Sequence, residues 1–330
     1  MRKRRIALSL SIVAVLAVAA VLAVATAKPA QAKPSYGQPC NCHPVGPPPP
    51  PPPSPPPSAT DTTPPTTAAS GVPVDWGNAP VAVSLRASDN SGGSGVKQTE
   101  YKLGDGAWTT YASPFTVSAD GETLVTYRAT DNAGNVEAAK KATVRIDTAA
   151  PTTAATGVPS GWSGGDVTVT LVATDTRSGV QQTEYKVGDD AWATYTVPFV
   201  VSTEGATTVS YRASDKAGNV EAAKSLTVKI DKTGPTTTAI NKLSVKRNKK
   251  ATFRFSLTDR TATGTVTIKI FKGAKLSKSL SVGAKPCGRP HSHVWKQCTL
   301  AKGTYTWKVY AIDEAGNAQV KAGSGRLVVK

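Results

Sequence analysis

Nine aspartates occupy corresponding places in three successive stretches of the chain: Asp61, Asp89 and Asp131; Asp147, Asp175 and Asp215; Asp231, Asp259 and Asp313. The first interval is 28 residues in every set. Carboxylate oxygens are hard ligands, and clusters of them hold calcium. If each set converges at one pole of a folded module, three carboxylates meet there, with Asn135, Asn219 and Asn317 as further oxygen donors. Asp147 and Asp231 also close the preceding stretch, so a bound ion would stiffen each junction. A purely structural account is the favoured one. Asp and Asn in x-D-x-A-G-N favour turns, because their side chains accept backbone N–H bonds, and calcium loops usually carry denser acidic spacing.

Basic residues are the second chemical signal. Lys246, Arg247, Lys249 and Lys250, preceded by Lys242, form one cluster; Lys269 and Lys272, with Lys275 and Lys278, form another. Residues 232–330 carry 20 basic and 3 acidic side chains, 60–231 carry 13 and 19, and 1–59 carry 6 and none, which accounts for the net +17 of the 330 residues. One stretch of 99 residues thus has a charge of +17 by itself. Such a face attracts polyanions: an anionic cell-envelope polymer, an acidic surface protein, or a charged glycan. Nucleic acid is disfavoured as a dedicated partner, since neither a recognition helix nor a stacking motif accompanies the charge.

Catalytic chemistry is poorly supplied. The chain has three His and one Met, and it shows no nucleophile elbow, H-E-x-x-H, phosphate loop or paired catalytic carboxylates. We therefore expect no enzyme. Cys287 and Cys298 enclose ten residues, and in an exported chain they most simply form a disulfide. A zinc site from Cys287, His291, His293 and Cys298 has unusual spacing. Cys40, Cys42 and His43 read C-x-C-H, one residue short of a haem attachment motif. They leave a local disulfide, a metal site or an intermolecular disulfide through Cys40 or Cys42 open, the last being favoured. Trp108 and Trp192 are the aromatics to test for ligand contact, whereas Tyr127 and Tyr211 alternate in register with Ala129 and Ala213 as core residues do.

The elements that must position these residues follow from pattern. Met1–Arg5 is basic, Ile6–Val24 is almost wholly apolar, and Ala25-Thr26-Ala27 and Ala30-Gln31-Ala32 supply small residues, so residues 1–32 read as a signal peptide or an N-terminal membrane anchor. Residues 33–60 follow as a Cys-containing, Pro-rich stalk. Pro47–Pro53 and Pro55–Pro57 favour polyproline II there, because proline fixes φ and removes the donor. Beyond it the chain repeats: Pro65–Asp147 and Pro151–Asp231 share 51 identities over 81 aligned positions, and residues from Pro235 form a diverged third copy. Alternation in Val81–Ala87 and Val167–Leu171 predicts half-buried strands. Further strands are expected at Phe115–Val117, Leu124–Ala129 and Ala142–Ile146, and Asp105-Gly106 predicts a hairpin turn.

Some seven short strands in each copy, with L-x-A-x-D…S-G-V-x-x-T-E-Y-K…A-W-x-x-Y…P-F and Y-R-A-x-D-x-A-G-N-V-E, resemble the Ig-like repeat modules of bacterial secreted and cell-surface proteins. The likeness is strong over Asp61–Asp231 and looser over the last hundred residues, where Gly303–Asn317 echoes the end of the motif. It implies an all-β chain of tandem immunoglobulin-like β-sandwiches at 61–147, 148–231 and 232–330. Such modules serve as spacers, adhesive units or ancillary domains. The combined expectation is an exported, extracellular or cell-surface protein whose spacers present a basic terminal module for electrostatic attachment. A carbohydrate-binding ancillary protein is the alternative.

Overall fold

The computed structural model describes residues 60–330; the signal or anchor, nearly all of the stalk, and Cys40, Cys42 and His43 lie outside the described residues. Among the described residues no helix is long and apolar enough to cross a membrane. The first module is built from β1 (Thr66–Ser70), β2 (Val81–Ser88), β3 (Val96–Leu103), β4 (Thr109–Thr110), β5 (Phe115–Val117), β6 (Gly121–Asp131) and β7 (Lys140–Ile146). The second has β8 (Thr152–Thr156), β9 (Trp162–Ser163), β10 (Val167–Thr174), β11 (Val180–Val187), β12 (Ala193–Thr194), β13 (Phe199–Val201), β14 (Gly205–Asp215) and β15 (Lys224–Ile230). The third has β16 (Thr236–Ala239), β17 (Leu243–Val245), β18 (Ala251–Thr258), β19 (Thr263–Lys272), β20 (Lys275–Pro286), β21 (Arg289–Trp295), β22 (Gly303–Asp313) and β23 (Gly323–Val329).

Each module packs two sheets. In the first they run β1-β2-β5 and β4-β3-β6-β7, in the second β8-β10-β13 and β12-β11-β14-β15-β9, and in the third β16-β18-β21 and β17-β23-β22-β19-β20. Neighbouring strands are antiparallel, except that β9 and β17 run parallel to the last strand of their modules. This is the immunoglobulin-like β-sandwich. Alternation explains the packing: Val81, Val83 and Leu85 of β2 point inward while Ala82 and Arg86 face solvent, since successive side chains in a strand take opposite faces. Each module has its own core. Those of the first two are built on Val, Leu and Ile with Tyr127 or Tyr211, and the third adds Phe253, Phe255 and Trp307.

Two local expectations change. The first hairpin turns on Gly104, whose φ is +53°, rather than on Asp105-Gly106, and it sets Tyr101 opposite Thr109. The Cys287–Cys298 disulfide is corrected outright: both are free thiols. The ten residues between them are not a loop but contain β21, which pairs with β18 from Leu257↔Arg289 to Ala251↔Trp295. Seven extended residues span about 23 Å, whereas a disulfide needs Cα atoms about 4.4–6.8 Å apart. The backbone N–H of Cys287 donates to Ala262 at one end of the sandwich, and that of Cys298 donates to Lys249 at the other. The same separation rules out a shared zinc ion.

Candidate functional site

The three aspartate sets do converge. In each, one carboxylate oxygen per residue lies within 4.8 Å of the other two: Asp61, Asp89 and Asp131; Asp147, Asp175 and Asp215; Asp231, Asp259 and Asp313. Three separate pieces of chain build each cluster. The first aspartate precedes the module, the second follows its second long strand (β2, β10 or β18), and the third ends the long strand β6, β14 or β22.

Backbone bonds fix the rotamers. Asp131 Oδ1 accepts from Asn135 N (2.8 Å), as Asp215 Oδ1 does from Asn219 N (2.8 Å) and Asp313 Oδ1 from Asn317 N (2.7 Å). Asp89 Oδ2 accepts from Gly95 N at 2.7 Å, and Asp175 Oδ1 from Gly179 N at 2.7 Å. Each Asn aims its amide nitrogen, not its oxygen, at the cluster. Asn135 Nδ2 donates to Asp131 Oδ2 and to the Asp61 carbonyl, and Asn219 and Asn317 repeat this with Asp215 and Asp147 and with Asp313 and Asp231. These asparagines therefore clamp the incoming chain to the turn instead of adding oxygen ligands.

The clusters contain no direct ion pair. None of the ion pairs among the described residues involves any of the nine aspartates. Asp131, Asp147, Asp215 and Asp231 are fully buried. The carboxyl of Asp61 is nonetheless held below its ordinary value by the backbone N–H groups of Ser94 and Thr63. At Asp147 burial pushes upward, but Ser178, the N–H of Ala149 and the charge of Arg177 together outweigh it and keep the carboxyl low. In the third cluster Asp231 Oδ1 accepts from Thr233 while the buried Oδ2 accepts no hydrogen bond.

The second and third clusters sit at module junctions. Across the first junction Asp120 accepts from Thr148 and lies 3.6 Å from Arg177. Across the second Glu204 accepts from Lys232 N and lies 3.4 Å from Arg260. Small residues allow the close approach: a Cβ on Gly164 would meet Ala315 O at 2.8 Å.

The third module is polarised. Its acidic residues Asp259, Asp313 and Glu314 gather at the junction end, where Glu314 accepts from Thr263. Lys246, Arg247, Lys249 and Lys250 occupy the opposite end in an exposed turn, in which Asn248 takes φ +59°, a conformation that Asn tolerates better than most residues. The eight residues of β18 separate Lys250 from Asp259, a distance of about 26 Å or more. Backbone bonds bring other parts of the chain to the same end. Arg247 N donates to Lys330 O, and Asn248 N to Cys298 O beside Lys296. Lys272 and Lys275 pair across the tip of the β19–β20 hairpin, and Lys272 reaches Gly303. Lys269 stands apart, its ammonium 4.8 Å over the Tyr310 ring. Lys275, Lys296 and Lys330 thus join the basic end only through the fold.

Trp108 is a poor sugar platform. The Arg128 guanidinium lies 4.2 Å from its ring centroid and is itself paired with Glu100; Arg212, Trp192 and Glu184 repeat the arrangement at 4.3 Å. Tyr127 and Tyr211 are buried.

The described chain is a tandem array of immunoglobulin-like β-sandwiches with a carboxylate triad at the start of each. No family model matches it. Exoglucanase B of Cellulomonas fimi is 35% identical over 223 residues, which cover 60% of this chain and 19% of that protein; the chain spans about a fifth of that relative's length. Among solved structures, fibronectin(III)-like modules of Clostridium thermocellum CbhA align at a TM-score of 0.31 and 16% identity, covering 54% of this chain and 94% of theirs. A tetra-tandem repeat from the extending region of a large adhesion protein aligns at 0.34 and 17%, covering 81% and 74%. At such scores they add nothing to the strand order described above.

Proposed function

We propose that this is a non-enzymatic, exported surface protein in which two sandwiches act as spacers and the third docks through its basic end on an anionic envelope polymer. One observation carries the reading: the third module keeps its three acids at the junction, together with Lys232 and Arg260, and gathers Lys246, Arg247, Lys249, Lys250, Lys272, Lys275, Lys296 and Lys330 without any acid at the far end. The turn chemistry supports it. Where the second module has Ser163-Gly164-Gly165 to admit its neighbour, the third has Lys246-Arg247-Asn248-Lys249-Lys250, too bulky and too charged to seat another copy in the same way.

The test is binding of the full exported chain to a poly(glycerol phosphate) polymer across a salt series. If about five cations each displace a counterion, the log–log slope is about −3.5, and affinity falls roughly 100-fold between 50 and 200 mM salt. Lys246→Gln combined with Lys249→Gln and Lys250→Gln lowers the slope by about 2. Absence of binding at 50 mM salt defeats the reading. The similarity to a protein named exoglucanase motivates the second reading, a carbohydrate-binding ancillary role. It requires saturable, salt-insensitive binding to a neutral glucan, and the arginines stacked on Trp108 and Trp192 weigh against it.

A further inference from the structure

We propose that the three carboxylate triads are calcium sites, and that the second and third make the stiffness of the array depend on calcium. The inference is independent of the basic end. Calcium binds oxygens at about 2.3–2.6 Å, so two ligands on opposite sides of one ion are about 4.6–5.2 Å apart. Oxygens that all lie within 4.8 Å of one another fit around a single ion. The donors are all carboxylates, a hard set that suits calcium and offers no nitrogen or sulfur to a softer metal.

A role confined to turn capping explains each aspartate singly but not their meeting. The cap at Asn135, Asn219 or Asn317 needs only the third aspartate of each set. Bringing two more carboxylates within 4.8 Å adds like-charge repulsion that no direct ion pair among the described residues offsets, although the Arg177 charge acts on Asp147 from farther away. The independent sign of a ligand is Asp231 Oδ2, fully buried and without a hydrogen-bond donor. The equivalent atoms, Asp61 Oδ2 and Asp147 Oδ2, accept from Ser94 N and Ser178 N in the loop that carries Asp89 or Asp175. Asp231 Oδ2 therefore faces the corresponding loop, with Asp259. There the Thr261 hydroxyl turns to Asp259 instead, which leaves the buried oxygen for a cation.

Placement gives the sites their consequence. Asp147 directly follows β7, and Asp231 directly follows β15, while their partners belong to the next module. An ion at either triad ties the connector to the downstream loops. It would work beside the Asp120–Arg177 and Glu204–Arg260 pairs, which cross the same junctions. With only three protein carboxylates per ion, affinity belongs in the range of about 10⁻⁴–10⁻³ M typical of extracellular calcium modules.

The experiment uses the full exported chain, stripped with chelator. Calcium titration by calorimetry is expected to give three ions per chain, and 5 mM calcium should raise the melting temperature by several degrees relative to chelator. Limited proteolysis at the junctions should slow in parallel. Asp259→Asn, at the most exposed aspartate of the third triad, should bind two ions and melt in chelator as the unmodified chain does. Asp175→Asn in the second triad provides the same readout if the first variant does not fold. The proposal is overturned if calcium and chelator give equal melting temperatures, if magnesium at equal ionic strength reproduces the whole shift, or if both variants still bind three ions.

Discussion

Glu137 holds the first triad in shape, and its replacement by glutamine should be costly for a reason that the third module makes plain. Glu137 Oε1 accepts from Thr67 N at 2.8 Å, Oε2 accepts from Ala129 N at 3.1 Å, and Lys140 Nζ lies 2.8 Å from Oε1. Its own N–H donates to Ala129 O. The buried carboxylate therefore ties β1 and β6 to the turn that carries Asp131 and Asn135. Glutamine offers a single acceptor, so one buried N–H loses its partner, at about 1–3 kcal/mol. Lys140 is 40% exposed, and loss of its ion pair adds little after solvent screening. We expect Glu137→Gln to destabilise the first module by about 2 kcal/mol, a drop of roughly 10 °C in its melting temperature. Calorimetry of the full chain reads this, with the equivalent Glu221 of the second module as an internal reference. Burial pushes the Glu137 carboxyl upward, but Lys140 and Thr67 outweigh it and hold it below the ordinary 4.5. A depressed folded value stabilises the fold above the ordinary value and is lost as pH falls through the folded one. The gap between wild type and variant should thus be full at pH 7 and close below about pH 4.5. Equal melting at pH 7, or a gap that does not narrow in acid, refutes the reasoning. The third module has Gln319 at this place in different surroundings: Gln319 accepts from Ala311 N and donates to Val309 O, which also accepts from the Thr237 hydroxyl.

Three further outcomes are expected. Mass spectrometry after alkylation without reductant should find both third-module thiols free once the chain is denatured, and a mass two units lower with both residues unreactive would restore the disulfide. In the native chain Cys298 is fully buried and should not react, while burial and the nearby Asp259 push the Cys287 thiol up to about 11, so its alkylation should be slow at pH 8 and quicken about tenfold per pH unit. Gly325→Ala would place a Cβ 2.5 Å from Trp307 Nε1; overpacking of this kind costs about 1–3 kcal/mol, and a chemical-denaturation midpoint unchanged from wild type would show that the indole can move aside.

Much of the architecture was legible because the chain repeats itself. The alternation at Val81–Ala87 became β2 with the predicted inward face, and Phe115–Val117 became β5 without change. The triads were legible for the same reason: three copies preserve the 28-residue interval, and a sandwich returns its chain start and two of its loops to one pole. Other features depend on what long-range pairing does to a local pattern. Two cysteines ten residues apart suggest a closed loop, yet Arg289–Trp295 alternates in exposure as the strand it forms, and the alternation of His291, His293 and Trp295 with Ser292 and Val294 was the overlooked signal. The roles of the asparagine amides were hidden because either end of an amide could have faced the carboxylates.

The basic end needed the fold most of all. Lys246–Lys250, Lys272–Lys275, Lys296 and Lys330 are scattered in sequence, and they share one end because strands β17, β19, β21 and β23 all run toward it, with β18 and β22 starting there. In the second module that end receives its neighbour, with Gly164 beneath Ala315, and lysines there would meet the next module's backbone. The sandwich therefore has one end specialised for joining copies, where carboxylates collect, and another whose chemistry is set by its turn residues. Replacing the small turn with Lys246-Arg247-Asn248-Lys249-Lys250 changes that second end from a joint into an exposed cationic surface without altering the strands that carry it.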